Sequence, residues 1–216
     1  MMRTENTAYW VAWQLARGIL NNSFRTTIYG IEHVPREGSF IVASNHASYM
    51  DPPAIGGAIP REMAYFARKT LFKPGWSSRL FHQLNSIPVD RDGDSDISAF
   101  RKVFQTLNGD RGLLLFPEGT RTPDGKLQNA HKGVGLIACK SAAPVLPVRI
   151  HGSYHAYGRN MKIPDFTVSL NIVIGPIIAP AEYDPGKSSP ERFQVAAERI
   201  MLRLHRLERP KEAGRV

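Results

Sequence analysis

The stretch SFIVASNHASYMDPP, residues 39–53, has the pattern of a buried strand, a polar turn and the start of a helix. Its first six residues form a short apolar run, which is typical of a buried strand. Asp51 is followed by Pro52 and Pro53, the arrangement of a helix N-cap with proline at the first helical position. A strand followed by a helix is the unit from which α/β domains are built.

The alternation of strand and helix continues along the chain. Apolar residues at helical spacing predict a helix between Ser95, as N-cap, and Gly109. A second helix is predicted to start with Ser189 as N-cap and Pro190 as first helical residue, and to end at Pro210. Further strands are predicted at residues 63–68, 86–91, 112–117, 145–150 and 166–175, the last with one wetter face. The sequence therefore predicts an α/β fold in two or three layers.

The composition limits the classes of partner. The chain has 216 residues, and 28 Lys and Arg against 19 Asp and Glu give a net charge of +9. Such a balance suits nucleic acid, an anionic membrane surface or a phosphorylated substrate. The basic residues are dispersed and no zinc-finger or RNP-type pattern occurs, so we expect no nucleic-acid partner. The single cysteine, Cys139, excludes an internal disulfide and is expected to be a small buried core residue.

The N-terminal segment is amphipathic. Its apolar part, residues 8–20, is shorter than the ~20 residues of a membrane-spanning helix. Aromatic rings flanked by basic side chains suit a membrane interface, but the same pattern fits a helix that packs on the protein's own core. The sequence leaves both interpretations open. One face of the predicted helix carries Trp10, Trp13 and Leu20, with Tyr9 and Arg17 beside them.

The histidine and aspartate of the first stretch allow three interpretations. The Asp51 carboxylate can reach one nitrogen of His46, which leaves the other free to take a proton from a substrate hydroxyl. The pair can instead be a turn residue and a helix cap. It can also supply metal ligands, with His151 and His155 as further candidates, although no HExxH or Cys/His cluster completes a metal set. This stretch alone does not decide among them.

A second stretch, LLLFPEGTRTPDG at 113–125, leaves a predicted strand and enters a loop suited to phosphate. Gly119 allows backbone amides to approach a ligand closely, and the Thr120 hydroxyl can donate a hydrogen bond. Arg121 can bind a phosphate through two parallel hydrogen bonds. As a bare pattern, the stretch also fits a turn that contains a salt bridge.

Four sequence blocks occur together in a fixed order: NHASYMD, NSIPVDR, FPEGTR and VLPVRI. In this order they resemble the glycerolipid acyltransferase family, which includes 1-acylglycerol-3-phosphate acyltransferases. The resemblance covers about residues 28–178, and FPEGTR is its most specific block. One departure is Asn85, where the family often has glycine. The resemblance implies a single α/β domain with a mixed sheet flanked by helices at 28–216, preceded by an amphipathic helical segment at 1–27.

The resemblance also implies roles for individual residues. His46 would be the general base and Asp51 its orienting partner, so that an acceptor hydroxyl attacks the acyl thioester directly. Arg68 or Lys69, and likewise Lys132, would be another phosphate contact, with a solvated basic rim as the alternative for each. Arg91 and Arg121 would hold the acceptor's phosphate. Glu118 and Gly119 would shape the acceptor site, and Thr120 would be a further substrate-binding residue.

The partners implied are a lysophospholipid, an acyl thioester and an anionic membrane surface, with acyl-CoA or acyl-carrier protein as donor and no cofactor or metal. We expect 1-acylglycerol 3-phosphate as acceptor and phosphatidic acid as product. Glycerol 3-phosphate or another lysolipid is the alternative acceptor, and a non-catalytic peripheral lipid-binding protein is the alternative function. The expected location is the cytoplasmic face of a membrane, with a bacterial inner membrane favoured.

Overall fold

A seven-stranded sheet organises the described part of this computed structural model, residues 6–89 and 97–210. The strand order is β1-β7-β6-β2-β5-β3-β4, and every neighbouring pair is parallel except β6 and β7, so the predicted mixed sheet is confirmed. The strands are β1 (Thr27–Tyr29), β2 (Phe40–Ser44), β3 (Met63–Arg68), β4 (Ser86–Val89), β5 (Gly112–Leu115), β6 (Val145–His151) and β7 (Asn171–Ile174).

Helices cover both faces of the sheet because the central strands are apolar on both sides. In β2, Ile41 packs into one core and Val42 into the core on the other face. Leu113 and Leu114 of β5 divide in the same way. The helices are α1 (Thr7–Ser23), α2 (Asp51–Ala58), α3 (Trp76–Gln83), α4 (Ile97–Leu107), α5 (Lys132–Ser141), α6 (Ser153–Tyr157), α7 (Pro180–Tyr183) and α8 (Arg192–His205).

Two predicted elements are shorter than the sequence pattern indicates. The alternating run at 166–175 is a strand only over Asn171–Ile174. The Asp165 carboxylate accepts hydrogen bonds from the amide and hydroxyl of Thr167, and this local turn competes with an extended ladder. The last helix begins at Arg192 and not at Pro190, because the Arg192 amide still donates to the Ser189 carbonyl in a preceding turn.

Other predictions agree with the structure within its described residues. Helix α4 lies where its apolar spacing places it, while its predicted cap, Ser95, lies outside the described residues. Cys139 is buried at 7% exposure. Burial raises the pKa of its thiol to about 11.

Helix α1 packs on α2 through one face and leaves another apolar face exposed. The Trp13 indole donates a hydrogen bond to the Ile59 carbonyl at 3.0 Å, so this ring is fixed on the protein's own core. The exposed apolar stripe is a different one: Val11, Leu15 and Ile19 are 55%, 64% and 51% exposed. Among the described residues, no helix has the length and apolar character needed to cross a membrane.

The parallel strands bring the predicted site residues to one edge of the sheet. Strands β2, β3, β4 and β5 all run in the same direction, so their carboxyl ends lie at a common edge, here called the carboxyl edge. His46 follows β2, Arg68 ends β3 and Glu118 follows β5. This edge is where ligands commonly bind in open α/β sheets.

Candidate active site

His46 and Asp51 form a hydrogen-bonded pair in the turn after β2. The His46 Nδ1 atom lies 2.9 Å from Asp51 Oδ2. The same oxygen accepts hydrogen bonds from the Ala47 and Ser48 amides at 2.6 and 2.7 Å. An oxygen engaged by two amide donors serves as an acceptor, so Nδ1 carries the hydrogen and Nε2 keeps its lone pair.

The position of Asp51 corrects the predicted helix cap. Met50 is the N-cap of α2 and Asp51 is its first helical residue. The fully buried carboxylate turns back toward the preceding loop instead of capping the first turn of its own helix. Its charge therefore stabilises the His46 turn directly.

The ring of Phe116 fixes the His46 imidazole from its flat side. The two rings are stacked, with centroids 3.9 Å apart and planes 14° from parallel. The imidazole is thus held at Nδ1 and on one face, and its Nε2 makes no hydrogen bond with any described residue. An oriented imidazole with a free lone pair has the geometry of a general base.

An apolar cavity of about 370 Å³ begins at His46 and extends between the sheet and helices α4 and α5. Its walls are mostly hydrocarbon, so the cavity suits an aliphatic chain whose reactive end lies beside the imidazole. Its lining includes Tyr65, Phe66, Val89, Phe100, Val103 and Ile137.

Glu118 ties the loop after β5 to the His46 turn. It is 1% exposed; Oε1 accepts from the His46 amide at 2.7 Å and Oε2 from the Gln128 amide at 2.9 Å. The Thr122 amide in turn donates to the His46 carbonyl at 2.8 Å. Burial raises the pKa of the Glu118 carboxyl, and the two amide hydrogen bonds oppose that rise. Both carboxylate oxygens are engaged by backbone, which favours a positioning role over the acceptor contact expected from the sequence.

Arg121 presents unused hydrogen-bond donors on this loop. Its guanidinium stacks on the Tyr49 ring, 3.5 Å from the centroid. Its buried Nη1 has no hydrogen-bond partner among the described residues. A planar cation held by an aromatic ring, with donors to spare, is suited to an anionic group such as phosphate. Tyr49 was not predicted from the sequence. Its only sequence signal is that it is an aromatic residue two positions before Asp51.

The neighbouring loop residues have distinct constraints. Gly119 has φ +66°, a left-handed conformation that favours glycine, and a Cβ there would lie 3.0 Å from Cδ2 of His131. Both the backbone conformation and the lack of space therefore favour glycine at this position. Thr120 is exposed. His131 is exposed and borders the cavity next to Gly119.

The other predicted cations are exposed to solvent where the structure describes them. Arg68 and Lys69 are exposed at the carboxyl edge and form no ion pair with a described residue, and Lys132 is exposed at the start of α5. Arg91, predicted to bind the acceptor's phosphate, lies outside the described residues.

The two histidines weighed as metal ligands differ in surroundings. His151 is half-buried, and burial with nearby Arg149 lowers the pKa of its imidazole, whereas His155 is exposed. Over residues 6–89 and 97–210, no group of three or more His, Cys, Asp or Glu side chains is placed to hold a metal ion.

Comparison with known proteins agrees with this geometry. The model of the Acyltransferase family matches residues 25–151, more than half of the chain, and the chain belongs to that family. It is 25% identical over 182 residues to a 1-acyl-sn-glycerol-3-phosphate acyltransferase of Bacillus subtilis, covering 84% of this chain and 87% of that protein. The match to the human 1-acyl-sn-glycerol-3-phosphate acyltransferase alpha is 28% identical and covers 62% of this chain and 47% of the human protein.

A solved structure has the same fold. The crystal structure of the 1-acyl-sn-glycerophosphate acyltransferase PlsC from Thermotoga maritima superposes with a TM-score of 0.72 and 28% sequence identity. The match covers 94% of this chain and 82% of that one. The protein is therefore an acyltransferase with a mixed α/β fold.

Proposed function

We propose that the protein transfers a fatty acyl group from an acyl thioester to the free hydroxyl of 1-acylglycerol 3-phosphate, forming phosphatidic acid, with His46 as general base. The observation that carries this proposal is the oriented His46 lone pair at the start of an apolar cavity. The names of the Bacillus subtilis and Thermotoga maritima relatives support the choice of acceptor.

In the proposed reaction, His46 Nε2 takes the hydroxyl proton as the acceptor oxygen bonds to the thioester carbonyl carbon. The tetrahedral intermediate then collapses, the C–S bond breaks, and the imidazolium returns the proton to the leaving thiolate. Asp51 stabilises the imidazolium through its hydrogen bond to Nδ1. A positioned base typically contributes ~10²–10⁴-fold to the rate. A thioester is already activated, so the step needs neither an acyl-enzyme nor a metal.

The acceptor's phosphate would be bound by Arg121, whose guanidinium is held on Tyr49. Arg91 and either Arg68 or Lys69 are proposed as further phosphate contacts. Binding the phosphate holds the acceptor hydroxyl near the base, which turns binding energy into orientation.

A lipid acceptor places the enzyme at a membrane surface, and we propose a peripheral location on the cytoplasmic face. The exposed stripe of Val11, Leu15 and Ile19 on α1 supports an interfacial contact. The net charge of +9 favours anionic headgroups. Acyl-CoA and acyl-carrier protein are the two proposed donors.

The test is acyl transfer from a labelled palmitoyl thioester with lysophosphatidic acid, glycerol 3-phosphate and a neutral lysolipid offered in parallel. We expect activity on lysophosphatidic acid that is lost in a folded His46→Ala variant. His205→Ala, which removes an exposed histidine on α8, is the matched control and should keep its activity. Activity that survives in His46→Ala would refute the proposed base, and preference for another acceptor would refute the proposed substrate.

A further inference from the structure

We infer that the exposed segment between β3 and β4 is a second lipid-binding surface, separate from α1, that contacts an anionic bilayer. This segment, here called the α3 surface, exposes Leu71, Trp76 and Leu80 together with Arg68, Lys69, Lys73 and Arg79. The inference rests on the proposed function only for its purpose, which is to bring the site to its lipid substrate. The surface itself is defined by its exposed apolar residues and its charge, independently of the reaction.

The apolar residues of the α3 surface are not needed for the core. Trp76 is 80% exposed, Leu71 is 46% exposed and Leu80 is 39% exposed. Helix α3 contributes no buried residue to the fold. The half-buried rings of Phe72 and Phe81 pack against each other, 5.4 Å apart between centroids, and so form the inward contact of the segment without Trp76 or Leu80. Folding therefore does not explain why Trp76 and Leu80 are apolar.

The charge of the α3 surface matches anionic headgroups. Residues 63–89 contain no Asp or Glu, and their four basic side chains are all exposed: Arg68, Lys69, Lys73 and Arg79. None of the four forms an ion pair with a described residue. The nearest following acidic residues in the sequence, at 90–96, lie outside the described residues. An exposed indole among cations is the combination found at membrane–water interfaces.

The α3 surface is close to the proposed site. The turn at Lys69–Leu71 follows β3 directly at the carboxyl edge, and Tyr65 and Phe66 of β3 line the cavity that begins at His46. The other end of α3 meets α1, because the Asn6 side chain donates to the Gln83 carbonyl at 2.7 Å. A bilayer that touches the Lys69–Leu71 end of the α3 surface therefore lies at the carboxyl edge, beside the strand whose residues line the cavity.

The test is co-sedimentation of the full chain with phosphatidylcholine vesicles, with and without phosphatidylglycerol. A Trp76→Ser/Leu80→Ser variant should need at least tenfold more lipid for half-maximal binding. A Lys73→Gln/Arg79→Gln variant should lose about fivefold per charge removed, and only on anionic vesicles. Leu202→Ser, at a leucine of α8 that is 50% exposed, is the matched control and should bind like the wild type.

A second measurement locates the indole. Lipids with brominated acyl chains should quench part of the tryptophan fluorescence of the wild type. This quenched component should be absent in Trp76→Phe, although that variant should still bind vesicles. Acyl transfer to a short-chain, monomeric lysophosphatidic acid should be unchanged in Trp76→Ser/Leu80→Ser, so the lipid contact and the chemistry are judged separately. Wild-type vesicle binding by that double variant would overturn the inference. The inference would also be overturned if the wild type did not bind anionic vesicles and the α3 surface instead bound an acidic carrier protein.

Discussion

The replacement of Glu118 by glutamine tests whether this buried carboxylate positions the base or binds substrate. The carboxylate accepts one amide hydrogen bond on each oxygen, from His46 and from Gln128. Glutamine has a single acceptor oxygen, so its NH₂ group must face one of the two amide hydrogens. A buried amide left without an acceptor costs about 1–3 kcal/mol. We therefore expect Glu118→Gln to lower the free energy of unfolding by about that amount.

The effect on the reaction should be mainly on kcat. If the His46 turn moves, the Nε2 lone pair is misaligned, and a displacement of about 1 Å can cost on the order of 10²-fold. The KM for lysophosphatidic acid should stay within about twofold, since neither oxygen of Glu118 is free to contact the acceptor. Urea unfolding and steady-state kinetics measure the two effects. The matched control is Glu182→Gln, at an exposed carboxylate that also accepts an amide hydrogen bond, from Ala179. A raised KM with unchanged kcat in Glu118→Gln would show that the positioning argument is wrong.

Three further substitutions test the His46–Asp51 pair, the stack of Arg121 on Tyr49 and the buried thiol of Cys139. In Asp51→Asn the amide oxygen can still accept from the Ala47 and Ser48 amides and from His46, because one oxygen of Asp51 takes all three hydrogen bonds. The negative charge that stabilises the His46 imidazolium is lost, so kcat should fall at least ~10²-fold in a folded variant. Tyr49→Leu should raise the acceptor KM about two- to fivefold by releasing Arg121, while Tyr49→Phe should keep the stack and the KM; equal KM values would contradict the stacking role. Burial raises the pKa of Cys139 from its ordinary 9.0 to about 11. The unfolded chain therefore loses the thiol proton at lower pH than the folded chain does. The free energy of unfolding should fall as the pH rises from about 9 to 11. In urea unfolding, Cys139→Ala should remove roughly 2 kcal/mol of that pH dependence, and an unchanged dependence would refute the assignment.

The parts of the fold that depend on local sequence could be predicted. The central strands are continuous apolar runs because both of their faces are covered, and this signal needs no knowledge of distant residues. The contact between His46 and Asp51 is also local, since a five-residue turn is short enough to bring the two side chains together. The strand expected at 166–175 is limited to Asn171–Ile174, and the turn that Asp165 forms with Thr167 is a local reason for its later start.

The parts of the site that depend on distant residues could not be predicted. The Glu118 carboxylate meets the amide of His46 across 72 positions of sequence, and the glutamate in FPEGTR gives no sign of which backbone group it accepts. The stack of Arg121 on Tyr49 is likewise created by the pairing of β2 with β5. In α1, apolar residues occupy more than one face. Periodicity therefore did not show that Trp13 faces the core while Leu15 faces solvent.

The backbone amides around His46 are used to hold the base in place and are not left to stabilise the oxyanion. The amides of His46, Ala47 and Ser48 were reasonable candidates to stabilise the tetrahedral intermediate, but the first donates to Glu118 and the other two donate to Asp51. Three consecutive amides directed at two buried carboxylates give a turn of fixed geometry, and one of these carboxylates comes from the loop after β5. The base is therefore aligned only when β2 and β5 are paired, which makes its orientation a property of the folded sheet and not of the NHASYMD segment alone.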